Sequence, residues 1–273
     1  MEIIRASRLS VFFLDEDQRV TFDDIGGRAE IERWAMEEGA ELHRLTLSSQ
    51  FRCNGSDDYL NWLDERLQIR ESPPEHDGLV SSGLDPEAFD FRVVDSASAL
   101  RTLIEARNVD NRARMVAGYC WDWKSKKDPE ARDIVFEGDD FAHQWNLQKD
   151  GGLWIESPES VAEVGCIHTC QGLELDYVGV IVGPDLKVRG GEVVTDALER
   201  AGRDMTVRGY KKQLRENPAE ARRRADVVIK NTYRTLMTRG MKGCYVYFVD
   251  DEAAAYFKGG LAATADPSAY VAC

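Results

Sequence analysis

The 273-residue sequence predicts an α/β fold, a largely parallel sheet with helices on both faces. Three observations carry this. Met115 to Trp121, Tyr177 to Val182 and Cys244 to Val249 are apolar runs of strand length, too continuous for strands with one wet face. Amphipathic stretches of helical period stand between them, and strands alternating with helices imply parallel pairing through crossovers. The length suits one large domain or two modest ones with a substantial core, and 43% hydrophobic with 31% charged residues is ordinary globular composition.

Taken in order, Leu9 to Leu14 predicts a buried strand, closing on the acidic stretch Asp15-Glu16-Asp17-Gln18. Acids at the carboxyl end of such a strand are where open α/β sheets place their chemistry. Asp23 to Gly27 is turn material, and Ala29 to Gly39 an amphipathic helix closed by glycine. Leu42 to Leu47 predicts a strand. Ser49-Gln50-Phe51-Arg52-Cys53-Asn54 then leads into a helix with the stripe Tyr59, Leu60, Leu63 and Leu67. Residues 71–89, rich in Pro, Gly, Ser and acids, predict a surface insertion. Phe91 to Val94 is a strand, and Ser96 to Asn108 a helix with a side-chain cap. The strand Met115 to Trp121 ends at Asp122-Trp123-Lys124, and Ile134 to Phe136 is a short apolar run. Residues 143–154 suggest a peripheral hairpin or loop around Lys149-Asp150-Gly151-Gly152.

Two segments organise the rest. Ile167 to Ile181 predicts a strand, a polar turn with Gln171, Gly172 and Glu174, and a second strand, stopped by Gly183-Pro184. Asp226 to Met237 predicts an amphipathic helix that closes on Thr238-Arg239-Gly240, so a cation stands at an element boundary before the strand at Cys244. Residues 187–226 between them are charged, and Glu252 to Gly259 is the last helix. No internal repeat is visible.

A formal charge of −14 argues against indiscriminate nucleic-acid coating and leaves only local basic patches as candidates. Six scattered cysteines fit a reducing compartment, which gives a cytoplasmic expectation. Cys166 and Cys170 have helix spacing but lack a second Cys or His pair, so two ordinary thiols and no metal site are expected. The first residues carry no signal-peptide profile, and no apolar stretch approaches membrane-spanning length, so no membrane partner is expected.

The acidic stretch ending in Gln18, Gln50-Phe51-Arg52-Cys53, Ala117-Gly118-Tyr119-Cys120-Trp121-Asp122-Trp123, His168 to Ile181 and Asn231 to Gly243 together resemble the second half of a superfamily 1 helicase motor. The likeness is to the Schlafen-group-3-like DNA/RNA helicase domain family and spans almost the whole chain. It implies RecA-like lobes that sandwich ATP while a single strand of DNA or RNA crosses both. On that likeness residues 1–27 are the remnant of a first RecA-like lobe, 28–263 the second, and 264–273 a tail. Gln18 matches the γ-phosphate sensor, Arg52 the first arginine reaching the phosphates, and Arg239 the arginine finger. Glu174, beside Gln171 and Gly172, matches the acid that contacts the nucleotide sugar. His168 and Thr169 lie in the same motif, on the side that touches the nucleic-acid backbone.

Phosphoryl transfer spreads negative charge over the γ-phosphate, which a planar, permanently charged guanidinium stabilises with two bonds at once. A Gln amide both donates and accepts, and a glycine such as Gly172 lets a loop approach a ligand closely. The phosphate-cradling GxxxxGK[ST] occurs nowhere in the sequence. Family members carry it upstream, so the chain is expected to be a truncated or split product. It would bind ATP and Mg²⁺ only with a P-loop lobe, such as a separately encoded one, and hydrolyse ATP negligibly alone.

Blander readings stand beside these. Arg52 and Arg239 in isolation fit salt bridges, and Glu174 a solvated loop acid. His168 lacks a specified nucleophile or orienting acid for base chemistry. The cluster at Asp15 to Asp17 suggests a metal-dependent nuclease, but charge runs after a strand are usually solvated turns. Trp123 offers base stacking, against core packing for it and Trp121. Lys211 to Arg224 could track a nucleic-acid backbone, or form a solvated helix with internal ion pairs. The competing function is a non-catalytic nucleic-acid or protein interaction module.

Overall fold

The computed structural model describes residues 2–23, 27–45, 52–69, 84, 89–145, 154–170 and 172–262. The strands are β1 (Asp90–Val93), β2 (Ala113–Ala117), β3 (Ile134–Phe136), β4 (Phe141–His143), β5 (Val164–Gly165), β6 (Leu175–Val182), β7 (Leu186–Arg189), β8 (Glu192–Thr195) and β9 (Gly240–Phe248). Helices are α1 (Glu2–Ala6), α2 (Arg28–Glu37), α3 (Asp57–Arg66), α4 (Ala97–Arg107), α5 (Ile167–Cys170), α6 (Tyr210–Glu216), α7 (Pro218–Met237) and α8 (Asp251–Ala262). Five strands form one sheet in the order β1-β9-β6-β2-β5, every pairing parallel. This is the parallel α/β sheet that the alternation of elements predicts, and it agrees with the RecA-like fold that the resemblance implies.

Side chains alternate across a strand, so the sheet sorts its apolar residues into two layers. Val116, Val178, Val180, Val182, Val246 and Phe248 join the layer under α3, α7 and α8, which supply Leu63, Ile229, Tyr233 and Phe257. Met115, Ala117, Ile181 and Tyr245 face the other way, onto Leu100 and Ile104 of α4. Each such side chain contributes about 1.5–3 kcal/mol by leaving water. Gly179 admits α4 to close range, because a Cβ there would sit 2.7 Å from the Ile104 side chain.

The longest helix, α7, has a sequence-written start. Asn217 accepts from the Glu220 N–H at 3.3 Å, and Pro218 occupies the first turn, where its missing N–H costs nothing. Ala221, Ala225, Val228, Ile229, Thr232 and Leu236 form its buried stripe. The helix therefore begins eight residues before the predicted Asp226. Ser56 and Ser96 cap α3 and α4, accepting from Tyr59 and Ala99 N–H groups at 3.2 and 3.1 Å.

Several expectations are corrected. Leu9 to Leu14 is not a buried strand: Leu9 is 82% and Phe13 84% exposed, and no described strand lies beside the run to complete a ladder. Residues 42–45 likewise form no strand, with Leu45 94% exposed, and 46–47 lie outside the described residues. The strand from Met115 begins at Ala113 and stops at Ala117, where Gly118 passes against the Tyr233 ring. Ile167 to Cys170 is one helical turn, preceded by only two residues of strand. β3 and β4 form a hairpin that turns at Gly138 with φ 84°, while the middle of the hairpin or loop expected across 143–154 lies outside the described residues. Of the expected insertion only Leu84 and Phe89 are described, both buried, and the expected tail lies outside the described residues. Lys211 to Arg224 falls on α6 and the start of α7, where Lys212–Glu216 and Arg223–Glu220 pairs match the solvated-helix alternative. Among the described residues no helix is long and apolar enough to cross a membrane.

Candidate functional site

The two organising segments meet at the amino-terminal edge of the sheet, because β6 and β9 are parallel neighbours and each segment leads into one of them. Leu175 N–H donates to the Arg239 carbonyl at 3.1 Å. Gly172, Leu173 and Glu174 on one side and Thr238, Arg239 and Met241 on the other line a recess of about 70 Å³. Gly172 turns the loop with φ 84°, a conformation glycine adopts without steric cost.

A third segment joins them. The Cys53 thiol donates to the Thr238 carbonyl at 3.8 Å, and the Tyr59 hydroxyl to the Met237 carbonyl at 3.0 Å. These bonds occupy carbonyls at the end of α7, which have no partner within the helix itself. They seat the 3₁₀ turn Arg52–Gly55 beside Arg239. Below them Arg234 pairs with Asp64 through both carboxylate oxygens, tying α7 to α3.

Arg239 is 3% exposed, and its Nε donates to the Thr235 carbonyl at 3.0 Å. Its charge reaches Cys170, whose thiol is pushed up to about 12 by burial and pulled partly back by the guanidinium. Glu174 is exposed at the recess. Gln171 and the side chain of Arg52 lie outside the described residues.

The remaining predicted residues stand apart. Gln18 ends a 3₁₀ turn and donates to Asp15 at 2.5 Å. That turn is held by Asn231, whose amide donates to the Glu16 and Arg19 carbonyls at 3.3 and 3.1 Å. Asn231 precedes Arg239 by eight residues, about 12 Å along the helical axis, so Gln18 neighbours α7 but lines no part of the recess. Thr169 spends its hydroxyl locally, accepting from Cys166 N–H at 2.7 Å and donating to the Cys166 carbonyl at 2.8 Å. His168 is exposed, with its ring 5.9 Å from that of Tyr119. Trp123 is half-buried, carries Lys126 4.7 Å above its ring, and lines a separate cavity of about 640 Å³.

Sequence reasoning missed a buried ionic cluster at the opposite edge. The Tyr233 hydroxyl donates to Asp185 at 2.5 Å and accepts from Gly183 N–H at 2.9 Å. Arg200, fully buried, lies 3.7 Å from Asp185 and 2.5 Å from Asp204. Burial opposes the Arg200 charge, yet the two carboxylates together hold its pKa above the ordinary value. The only signal was the helical spacing of Arg200 and Asp204 inside a stretch that reads as solvated.

The fold is that of a RecA-like α/β domain, and the family match makes it helicase-like. The chain matches the Schlafen group 3, DNA/RNA helicase domain over residues 1–250 and belongs to that family. It is 28% identical over 217 residues to the uncharacterized protein YPL245W of Saccharomyces cerevisiae, an alignment covering 76% of this chain. The chain spans about half, 46%, of that relative's length. No solved structure matches it.

Proposed function

We propose that the chain is the arginine-bearing motor lobe of a superfamily 1-like DNA/RNA helicase or translocase, offering one wall of an ATP cleft whose other wall is a P-loop lobe. The convergence of Gly172–Glu174 with Thr238–Arg239, and of the Arg52 turn through Cys53, carries this reading. A recess of about 70 Å³ is far below the roughly 300 Å³ at which small-molecule pockets begin. It is too small for a whole nucleotide, in keeping with half a site.

ATP with Mg²⁺, when bound, supplies the phosphoryl group and the charge that develops on it. This chain's residues do the rest of the work on its side. Arg239, whose Nε donates to the Thr235 carbonyl, would offer its guanidinium to the phosphates, Gly172 would let backbone approach them, and Glu174 would accept from the sugar. A second reading, a non-catalytic interaction module, draws support from the exposed apolar run Leu9 to Leu14.

Supplying a polypeptide that carries GxxxxGK[ST] tests both. Nucleic-acid-stimulated ATP turnover is expected, with Arg239→Ala lowering it by about 10³ or more. Turnover unchanged in that variant removes the finger assignment, and no turnover from the unaltered pair favours the module.

A further inference from the structure

We infer that a basic ledge on the amino-terminal edge of the sheet binds the phosphate backbone of single-stranded nucleic acid, through Arg92, Arg107, Arg112 and Lys242. None of these residues belongs to the recess. The sheet register lines up their neighbours: Gly243 follows Lys242, Ala113 follows Arg112, and Asp90 holds Arg92 and Arg107. Asp90, Gly243, Tyr177 and Ala113 are Cα partners across β1, β9, β6 and β2. With strands about 4.8 Å apart that row spans about 14 Å, room for two or three nucleotides of a strand.

Four cations on this row share two carboxylates. Asp90 takes Arg92 at 2.7 Å and Arg107 at 3.4 Å, and Asp176 takes Arg112 at 3.2 Å and Lys242 at 2.8 Å. The ledge therefore keeps a local excess of positive charge on a chain whose formal net charge is −14. The cations remain open to solvent, their side chains 41–61% exposed, while both acids are 21–24% exposed beneath them. That layering puts the cations outward, where an incoming anion meets them first.

The arginines are also held in place. Arg107 donates to the Tyr245 hydroxyl at 2.9 Å and lies 4.8 Å over the Tyr177 ring, while Arg92 lies 5.2 Å over Tyr245. Tyr245 in turn donates to Asp90 at 2.7 Å. A guanidinium fixed before binding loses less freedom on meeting a phosphate, and its planar fork grips two oxygens together. Two pairs of cations, one on Asp90 and one on Asp176, offer two anchor points along the edge, which suits a polymer of phosphates better than a single small anion. Asp176 follows Glu174 by two residues and Lys242 follows Arg239 by three, so the ledge adjoins the recess. The choice of nucleic acid as the anion rests on the helicase-lobe reading above.

Fluorescence anisotropy of labelled oligo(dT) and oligo(U), each about 20 nucleotides, between about 50 and 200 mM salt reads the ledge directly. It needs neither ATP nor a P-loop lobe, so its outcome is separate from that of the ATPase test. The unaltered chain is expected to bind. Arg112→Gln with Lys242→Gln should weaken binding about tenfold and reduce the salt slope by about 1.4, the value for two single-strand phosphates. Lys211→Gln with Lys212→Gln on α6 changes the net charge equally and should shift affinity less than about twofold. Circular dichroism melts confirm that both pairs of substitutions fold. No binding by the unaltered chain, equal losses in the two variants, or displacement of the oligonucleotide by poly-glutamate at matched charge overturns the proposal.

Discussion

At the scale of single residues, buried ions decide more than exposed ones. Arg200→Met leaves Asp185 and Asp204 in the interior without their cation, a loss of about 3–5 kcal/mol. It should appear as a lower urea midpoint. Tyr233→Phe removes one hydroxyl from the same cluster and should cost only about 1–3 kcal/mol. A milder effect for Arg200→Met than for Tyr233→Phe would show that the carboxylates find other partners. Gly172 and Arg239 were legible in the sequence because glycine and a Thr-Arg-Gly end mark element boundaries. The Asp185–Arg200 pairing was not, since their meeting depends on how the chain folds back after β8. Arg114 is a similar case: a charge inside a buried strand, satisfied by six acceptors from Asn108 to Ser160, with its pKa pushed down to about 10 by burial. Nothing local in the sequence announces those acceptors.

At the scale of elements, helix α4 on Gly179 and the β3–β4 hairpin on His143 offer clean tests. Gly179→Ala forces a Cβ to 2.7 Å from Ile104 and should cost about 1–3 kcal/mol in urea unfolding, whereas Gly202→Ala meets nothing within 4 Å. Equal midpoints for the two would mean that α4 does not rest on that glycine. His143 donates from Nδ1 to the Ala162 carbonyl at 2.7 Å, and burial holds its pKa below 6.5. The unfolded chain therefore takes the proton first as pH falls through about 6.5, so this contribution is whole above that pH and lost below it. The urea midpoint of the protein should drop between about pH 7.5 and 5.5, and less so in His143→Gln. A drop of the same size in that variant would locate the pH dependence elsewhere. Helices α2, α3 and α4 and strands β6 and β9 were readable from period and caps. The run Leu9 to Leu14 was not, because strand propensity becomes a strand only beside a partner. The β7–β8 hairpin was missed: Gly190-Gly191, both at positive φ, make its two-residue turn, but the charged residues around them read as a solvated segment.

At the scale of the whole molecule, parallel order turns distant segments into neighbours. The parallel sheet was predictable from the alternation of elements, but the strand order that sets β6 against β9 was not. That order is what converts two polar ends into one recess, with the Arg52 turn seated on it through Cys53 and the basic ledge beside it. The measurement that bears most directly on the arrangement is kcat for nucleic-acid-stimulated ATP hydrolysis by the chain together with a P-loop lobe, unaltered against Arg239→Lys. Lysine keeps the charge but loses the planar fork. A fall in kcat of about 10³ or more, with KM changed only a few-fold, is the result expected of an arginine that acts on the transition state. An unchanged kcat in a folded Arg239→Lys protein would contradict it.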